Sequence, residues 1–311
     1  MEEKKETDGR LLKSRGYLGC LNEGLKLPTR HILSLLRFLY PSLIAGAVAM
    51  GLWGVFFNQI TVALTRWMAA SEPVVLFFPL STLIILSVLS LLAGSFYVGN
   101  VMTAVSRFAS AGSWPALRFG EARREVLDAS LRALTCALVA AVVFSLLVVP
   151  LILWLGAGNV WVTVVSCVLL FALGVPYCMV TMDYVLGGRG DFWRSLKRMK
   201  DGYRYWGAFF VILFCGGLVM GVFAAVSWLP AGILAYAGHA SLMAVLEGDA
   251  TDLPSYVPAL VVFFFMLASV ITNVSGWLTL FPLSYLYGSV EVRKREKATF
   301  EEEERRLRDL R

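Results

Sequence analysis

Residues 133–182 form the longest apolar stretch of the chain, because fifty consecutive positions carry no Asp, Glu, Lys or Arg. As one helix they would measure roughly 75 Å, whereas the hydrocarbon core of a bilayer is about 30 Å thick. The chain must therefore cross a membrane twice here. The only turn-rich cluster inside the stretch is Gly156, Ala157, Gly158 and Asn159, and it predicts the turn of a helical hairpin, spans three and four.

The apolar stretches on either side of this hairpin predict four more spans. Their limits are residues 38–65 for span one, 73–106 for span two, 206 to about 228 for span five and 256–290 for span six. Pro230 is expected to end span five. The apolar residues 233–246 are too few to cross, so they predict an interfacial or re-entrant helix. The predicted fold is an all-α polytopic membrane protein with six transmembrane helices, amphipathic juxtamembrane helices and a charged C-terminal helix.

Composition agrees with a membrane protein. The chain is 58% hydrophobic and 16% charged, whereas soluble domains are about 45–50% apolar and about 25% charged. The net charge of +6 does not indicate nucleic-acid binding, since excess Lys and Arg in a membrane protein is first explained by the orientation of its loops. The five cysteines form no CxxC pair, so no disulfide framework is predicted.

The basic residues are distributed very unevenly between the two predicted sides. Of the 28 Lys and Arg, 27 lie in the leader, residues 107–132, residues 183–204 or the tail, while Arg66 stands alone on the other side. The positive-inside rule then places both termini in the cytoplasm and the protein in the cytoplasmic membrane. The predicted organisation is a basic leader (1–37), a six-span membrane domain (38–290) and a charged tail (291–311).

The leader and the tail both have helical patterns. Leu18, Leu21 and Leu25 fall on one helical face and predict a short surface helix, which Pro28 would interrupt. The tail has acidic residues four positions before arginines, the favourable order on an exposed helix. These pairs are Glu301 with Arg305, Glu302 with Arg306 and Glu304 with Arg308.

Residues 192–206 combine an apolar stripe with a cluster of bases. Phe192, Leu196, Met199 and Tyr203 recur at three- and four-residue steps, which indicates an amphipathic helix lying on the membrane surface. We predict that this helix binds anionic inner-leaflet lipid. The residues expected to contact the membrane surface are Trp193, Arg194, Lys197, Arg198 and Arg204. The competing interpretation is that the stripe packs against the ends of the spans and the charges only orient the chain.

Two further features inside the spans suggest helix packing. Gly217 and Gly221 form a GxxxG pair in span five, which permits close approach of another helix. Asn100 in span two and Thr272 with Asn273 in span six are intramembrane polar residues. Interhelical hydrogen bonds explain these three residues at least as well as a polar transport pathway does.

The chain has few residues that could support catalysis. Its two histidines, His31 and His239, have no metal-ligating residue at helical spacing, and no nucleotide-binding or hydrolase motif occurs. We therefore predict no enzyme, cofactor or metal. The predicted function is a non-enzymatic membrane scaffold or accessory protein that responds to anionic lipid and recruits a membrane-protein partner. The alternative is a channel or carrier for a neutral or amphiphilic, lipid-like substrate, which a continuous polar cavity would favour.

Two features of the sequence are also found in a known group of membrane proteins. The first is the segment Ser195, Leu196, Lys197 and Arg198, which Tyr205, Trp206 and Gly207 follow closely. The second is a proline followed by an aromatic residue at the ends of returning spans, as in Pro176-Tyr177 and in Pro282 with Tyr285. In these features the chain resembles six-span bacterial integral membrane families of unknown function. They include the membrane domain fused to some glycerophosphodiester phosphodiesterases. The resemblance implies a six-span fold over residues 17–290. It does not imply phosphodiesterase activity, because the chain contains no catalytic domain of that kind.

Overall fold

The computed structural model describes residues 11, 13–70, 77–111, 118–155, 159–188, 190–246 and 254–309. Within these residues all regular structure is helical. The helices are α1 (Tyr17–Arg30), α2 (Ile32–Ala70), α3 (Phe77–Ala111), α4 (Phe119–Leu155), α5 (Val160–Val185), α6 (Phe192–Leu196), α7 (Met199–Arg204), α8 (Trp206–Leu246) and α9 (Val257–Asp309). Six of them, α2–α5, α8 and α9, are long and apolar enough to cross a membrane. The protein is therefore an all-α polytopic membrane protein, as the sequence predicts.

The central hairpin consists of α4 and α5. The side chain of Asn159 accepts a hydrogen bond from the backbone N–H of Trp161 at 2.9 Å and so caps the start of α5. The other three residues of the predicted turn, 156–158, lie outside the described residues. Since the cap satisfies an N–H that the helix itself leaves unbonded, Asn159 determines where the second arm begins.

The structure corrects the prediction for residues 233–246. Helix α8 continues through Pro230 to Leu246, so these residues are the second half of one helix and not a separate interfacial or re-entrant segment. Ala231 and Ala235 are buried in a cluster with Val257, Val261 and Phe265 of α9. Membrane helices tolerate an internal proline when packing compensates for the lost hydrogen bond, and these small side chains allow close packing.

The leader helix α1 also differs from its prediction. Its buried face consists of Cys20, Gly24, Leu27 and Pro28, while Leu18 is 80% exposed, so the predicted leucine stripe is not the packing face. A methyl group at Gly24 would lie 2.5 Å from Pro282 Cα. The backbone N–H of Arg15 donates to Ser289 Oγ at 3.0 Å. Helix α1 therefore packs against α9, and Pro28 lies inside the helix and does not interrupt it.

Helix α9 runs unbroken from the sixth span into the charged tail. Two of the predicted tail pairs are present, Glu302 with Arg306 at 2.7 Å and Glu304 with Arg308 at 2.6 Å. Glu301 instead lies 3.5 Å from Lys297. The tail is thus an exposed helix, as predicted, but Glu301 pairs with a lysine on the preceding turn and not with Arg305.

The chain forms two compact units, each assembled from separate segments. Unit 1 contains Met1–Phe38, Val98–Gly217 and Trp277–Arg311, and therefore combines the leader, the α4–α5 hairpin and the tail. Unit 2 contains Leu39–Tyr97 and Leu218–Gly276. The chain passes from one unit to the other within α2, α3, α8 and α9.

Candidate membrane-surface site

The candidate site lies in unit 1, in the short connection between α5 and α8. We name residues 190–205 the elbow. Gly188, just before it, has a φ of +60°, a backbone conformation that favours glycine and turns the chain after α5. The Asp191 carboxylate then accepts a hydrogen bond from the N–H of Trp193 at 3.0 Å and caps α6. The turn at Gly188 and the Asp191 cap thus begin a new, short helix at the start of the elbow.

The elbow is not the single amphipathic helix that the spacing predicts. Helix α6 ends at Leu196, α7 starts at Met199, and Tyr205 separates α7 from α8. In α7, a methyl group at Gly202 would lie 2.5 Å from the carbonyl oxygen of Pro176. Helix α7 therefore lies directly on α5. A continuous helix on the membrane surface would not need a glycine at this close contact.

A buried polar cluster holds the elbow in this position. We name it the ionic anchor; it consists of Asp183, Ser195, Arg198, Tyr287 and Glu291. Arg198 is only 8% exposed and Asp183 is fully buried. The Arg198 guanidinium forms an ion pair with Glu291 and lies 3.5 Å from Asp183 Oδ1.

The same aspartate accepts two hydroxyl hydrogen bonds. Ser195 donates to one carboxylate oxygen of Asp183 at 2.8 Å, and Tyr287 donates to the other at 3.1 Å. The ionic anchor thus joins α5, the elbow and α9 through ion pairs and hydroxyl hydrogen bonds. Buried charges need such pairing, since an isolated one is strongly disfavoured.

Charged residues at the rim extend the ionic anchor. Arg198 lies 3.1 Å from Asp201, whose carboxylate also pairs with Lys294 at 2.8 Å. Burial by itself lowers the pKa of the Arg198 guanidinium, but the nearby carboxylates of Glu291, Asp183 and Asp201 raise it by more, so its pKa is raised overall. Arg198 therefore stays protonated and acts as a permanent cation at this position.

The structure corrects the predicted role of Arg198. Its side chain does not project towards lipid headgroups, because it is buried and paired with carboxylates from two other helices. One of these, Glu291, is 93 positions away in the chain. Helical spacing within the elbow groups Arg198 with Arg194, but only the tertiary structure brings the carboxylates to it.

The outward face of the elbow is basic and aromatic. Trp193 is 71% exposed and Tyr203 is 49% exposed. The exposed bases are Arg194, Lys197, Lys200 and Arg204. The predicted stripe is divided, because Phe192, Leu196 and Met199 are half-buried and the ring of Phe192 packs edge-on against Tyr184 at 5.4 Å. Four of the five predicted surface residues are therefore accessible, and part of the apolar stripe packs inward.

The three intramembrane polar residues lie among helices. Thr272 Oγ1 accepts a hydrogen bond from the Trp228 indole at 3.1 Å. The backbone carbonyl of Asn273 accepts one from Tyr97, and the Asn273 amide donates to Ser269 at 3.4 Å. Asn100 is fully buried. The bonds of Thr272 to Trp228 and of Asn273 to Tyr97 join α9 to α8 and α3 within unit 2, as interhelical hydrogen bonding predicts.

Within the described part of the chain, the predicted packing glycines are not positions of close helix approach. A methyl group at Gly217 or Gly221 would meet no atom within 4 Å among the described residues. The neighbouring Gly216 is buried, and a methyl group there would lie 3.1 Å from Thr279 Cα and closer still to its hydroxyl. The close approach of α8 to α9 in unit 1 therefore depends on Gly216, one position before the predicted pair.

Sequence reasoning missed Ser195, Tyr287 and Glu291 of the ionic anchor, and Lys200 of the exposed face. One signal was available: Asp183 and Glu291 are acidic residues placed directly at the ends of apolar spans, where ionisable groups usually have partners. The described residues contain no group of three or more side chains that could hold a metal ion. The charged features of the site are its ion pairs and its exposed bases.

No protein-family model, curated protein or solved structure matches the chain. The resemblance to six-span bacterial membrane families stays a prediction. The proposed function therefore rests on the contacts of the elbow and of the spans.

Proposed function

We propose that this protein is a non-enzymatic scaffold or accessory protein of the cytoplasmic membrane, with both termini in the cytoplasm, and that its elbow binds anionic lipid of the inner leaflet. The orientation rests on the uneven distribution of Lys and Arg. The observation that carries the proposal is the elbow, whose inward face is held by the ionic anchor and whose outward face presents four bases and two aromatic side chains.

The charge balance of the elbow favours anionic lipid. It has four exposed bases and two acidic residues. The Asp191 carboxylate caps α6, and Asp201 is already paired with Arg198 and Lys294, so the exposed charge of the elbow is positive overall. A base near an anionic leaflet contributes about 1 kcal/mol, and salt screens the interaction over roughly a Debye length. The exposed indole of Trp193 suits the headgroup region, where aromatic side chains concentrate.

The tail supports the scaffold part of the proposal. Residues 294–308 of α9 are all exposed and helical, and Phe300 and Leu307 are 67% and 64% exposed. The two apolar side chains are seven positions apart and share one face of the helix. An exposed helix joined without a break to a membrane span is suited to recruiting a protein partner at the membrane.

A lipid-retention experiment tests the proposal. The full-length protein is reconstituted in bilayers of phosphatidylglycerol and phosphatidylcholine, extracted in mild detergent, and its retained lipids are identified by native mass spectrometry. We expect phosphatidylglycerol to be enriched over its bulk fraction. The triple variant Arg194→Gln, Lys197→Gln, Arg204→Gln should lose most of this enrichment, because the elbow bases are neutralised.

The matched control removes the same charge elsewhere. The variant Arg305→Gln, Arg306→Gln, Arg308→Gln neutralises three exposed bases of the tail and should retain phosphatidylglycerol as the unmodified protein does. Equal retention of anionic and neutral lipid by the unmodified protein would contradict the proposal. Equal losses in both triple variants would show a dependence on net charge alone.

One observation favours the alternative function, a carrier of an amphiphilic substrate. In unit 2, α2 and α3 form an open apolar groove of about 430 Å³. It is lined by Ala45, Val48, Ala49, Leu52, Leu89, Leu92, Ala93 and Phe96. A carrier should accelerate transfer of a fluorescent lipid across proteoliposome membranes. Ala45→Phe should then slow the transfer, whereas Ala225→Phe on the exposed surface of α8 should not.

A further inference from the structure

A row of aromatic rings follows the elbow along the first turns of α8. Trp206 and Phe210 stack with ring centroids 4.9 Å apart and planes 5° apart, and Phe210 and Phe214 follow at 5.8 Å. We name Trp206, Phe210, Phe214 and the adjacent Phe171 the aromatic ladder. From Trp206 to Phe214 the ladder extends about 12 Å along the helix, starting where the fifth candidate span begins.

Helix α5 holds the aromatic ladder in place. The indole N–H of Trp206 donates to the backbone carbonyl of Phe171 at 3.3 Å. The ring of Phe171 packs edge-on against Phe210 at 5.9 Å. Phe171 and Phe214 nevertheless remain 46% and 56% exposed. The rings are therefore fixed by protein on one side and present an apolar surface on the other.

Two exposed bases precede the aromatic ladder directly. Lys200 and Arg204 are four positions apart in α7 and lie on the same side of that helix. Only Tyr205 separates Arg204 from Trp206, and the Arg204 guanidinium lies 5.9 Å from the Tyr205 ring centroid. Positive charge thus lies within two residues of the end of the ladder that begins the span.

From this juxtaposition we infer a specific binding site for an anionic phospholipid. Lys200 and Arg204 bind the headgroup phosphate, and one acyl chain lies along the exposed rings of the aromatic ladder. The inference rests on the proposed function and deepens it, because a diffuse electrostatic attraction would need the bases alone. A fixed row of rings next to bases gives the lipid both a charged and an apolar contact.

The position of Trp206 provides a direct test. The full-length protein is reconstituted in phosphatidylcholine bilayers containing a minor fraction of either phosphatidylglycerol or phosphatidylcholine with brominated acyl chains, which quench tryptophan fluorescence. The signal of Trp206 is the difference between the unmodified protein and Trp206→Phe. We expect brominated phosphatidylglycerol to quench this signal at several-fold lower mole fraction than brominated phosphatidylcholine.

Variants separate the two parts of the site. Neutralising Lys200 and Arg204 to Gln should reduce the preference for phosphatidylglycerol by about fivefold for each base. Phe214→Leu should instead raise the mole fraction of brominated phosphatidylglycerol needed to quench Trp206 by roughly threefold, because a ring contact with the acyl chain is lost. The matched control is Phe223→Leu, which removes a 49% exposed ring nine positions further along α8, on the opposite face, and should leave that mole fraction unchanged. Each variant is compared with its own Trp206→Phe blank.

The outcomes distinguish this site from the broader proposal. A preference that depends on the bases, together with weaker quenching by brominated phosphatidylglycerol in Phe214→Leu, supports the site. Quenching by brominated phosphatidylglycerol that Phe214→Leu leaves unchanged overturns the site, while retention of phosphatidylglycerol in the mass-spectrometric experiment would leave the proposed function standing. Equal quenching by the two brominated lipids, together with equal retention, overturns both.

Discussion

Arg198 and Glu291 form a buried ion pair although 93 positions separate them in the chain. The pair joins the elbow to α9, and Asp183 extends it to α5. Because each charged group has a partner, the elbow can be held close to the membrane spans without an isolated buried charge. The inward face of the elbow therefore stabilises the fold and leaves its outward face available for binding.

Replacing Arg198 should destabilise the protein strongly. Arg198→Met removes the guanidinium that pairs with the buried carboxylates of Asp183 and Glu291, and Glu291 keeps the more distant Arg295 at 3.6 Å. We expect a loss of about 3–5 kcal/mol in the free energy of unfolding. Thermal unfolding in detergent measures the change. Arg194→Met removes an exposed arginine from the same elbow and should have little effect. Similar unfolding temperatures for the two variants would contradict the assigned role of Arg198.

Gly24 should be essential for packing of the leader helix. Gly24→Ala places a methyl group 2.5 Å from Pro282 Cα, so the backbone of α1 or α9 must move at a cost of about 1–3 kcal/mol. Gly19→Ala is the matched control in the same helix, since among the described residues its methyl group would meet only Arg15 Cβ, at 3.6 Å. Thermal unfolding and limited proteolysis of the leader should detect a loss in the first variant alone.

Adjacent glycines in α8 should differ in their tolerance of substitution. Gly216→Ala forces a methyl group against Thr279, whereas Gly217→Ala places it where no described atom lies within 4 Å. We expect the first to lower the free energy of unfolding by about 1–3 kcal/mol, and the second to leave it unchanged or slightly raised, because alanine favours the helix. Destabilisation by Gly217→Ala instead would indicate that this face packs against another molecule.

The charge distribution predicts the topology. In a variant lacking the five native cysteines, Asn159→Cys and Asp249→Cys should react with an impermeant thiol reagent added outside intact cells. Arg305→Cys should react only after the membrane is made permeable. Labelling of Arg305→Cys in intact cells would reverse the orientation and place the elbow on the opposite leaflet.

Hydropathy alone determined the fold class and the number of spans. Apolar stretches such as residues 133–182 are a local property of the chain, and their lengths relative to the bilayer leave few alternatives. The exposed tail helix and the accessible Arg194, Lys197 and Arg204 of the elbow could also be predicted, because charged side chains outside a span generally remain solvated.

The tertiary structure decided which residues are neighbours. Periodicity grouped Arg198 with the surface bases, but Asp183 and Glu291 lie on other helices, and only the folded chain brings them to its guanidinium. Likewise the GxxxG spacing did not indicate that Gly216 is the position facing Thr279. Pro230 remains within α8 because packing compensates for its missing hydrogen bond. These properties depend on distances between remote segments, which a pattern along one helix does not contain.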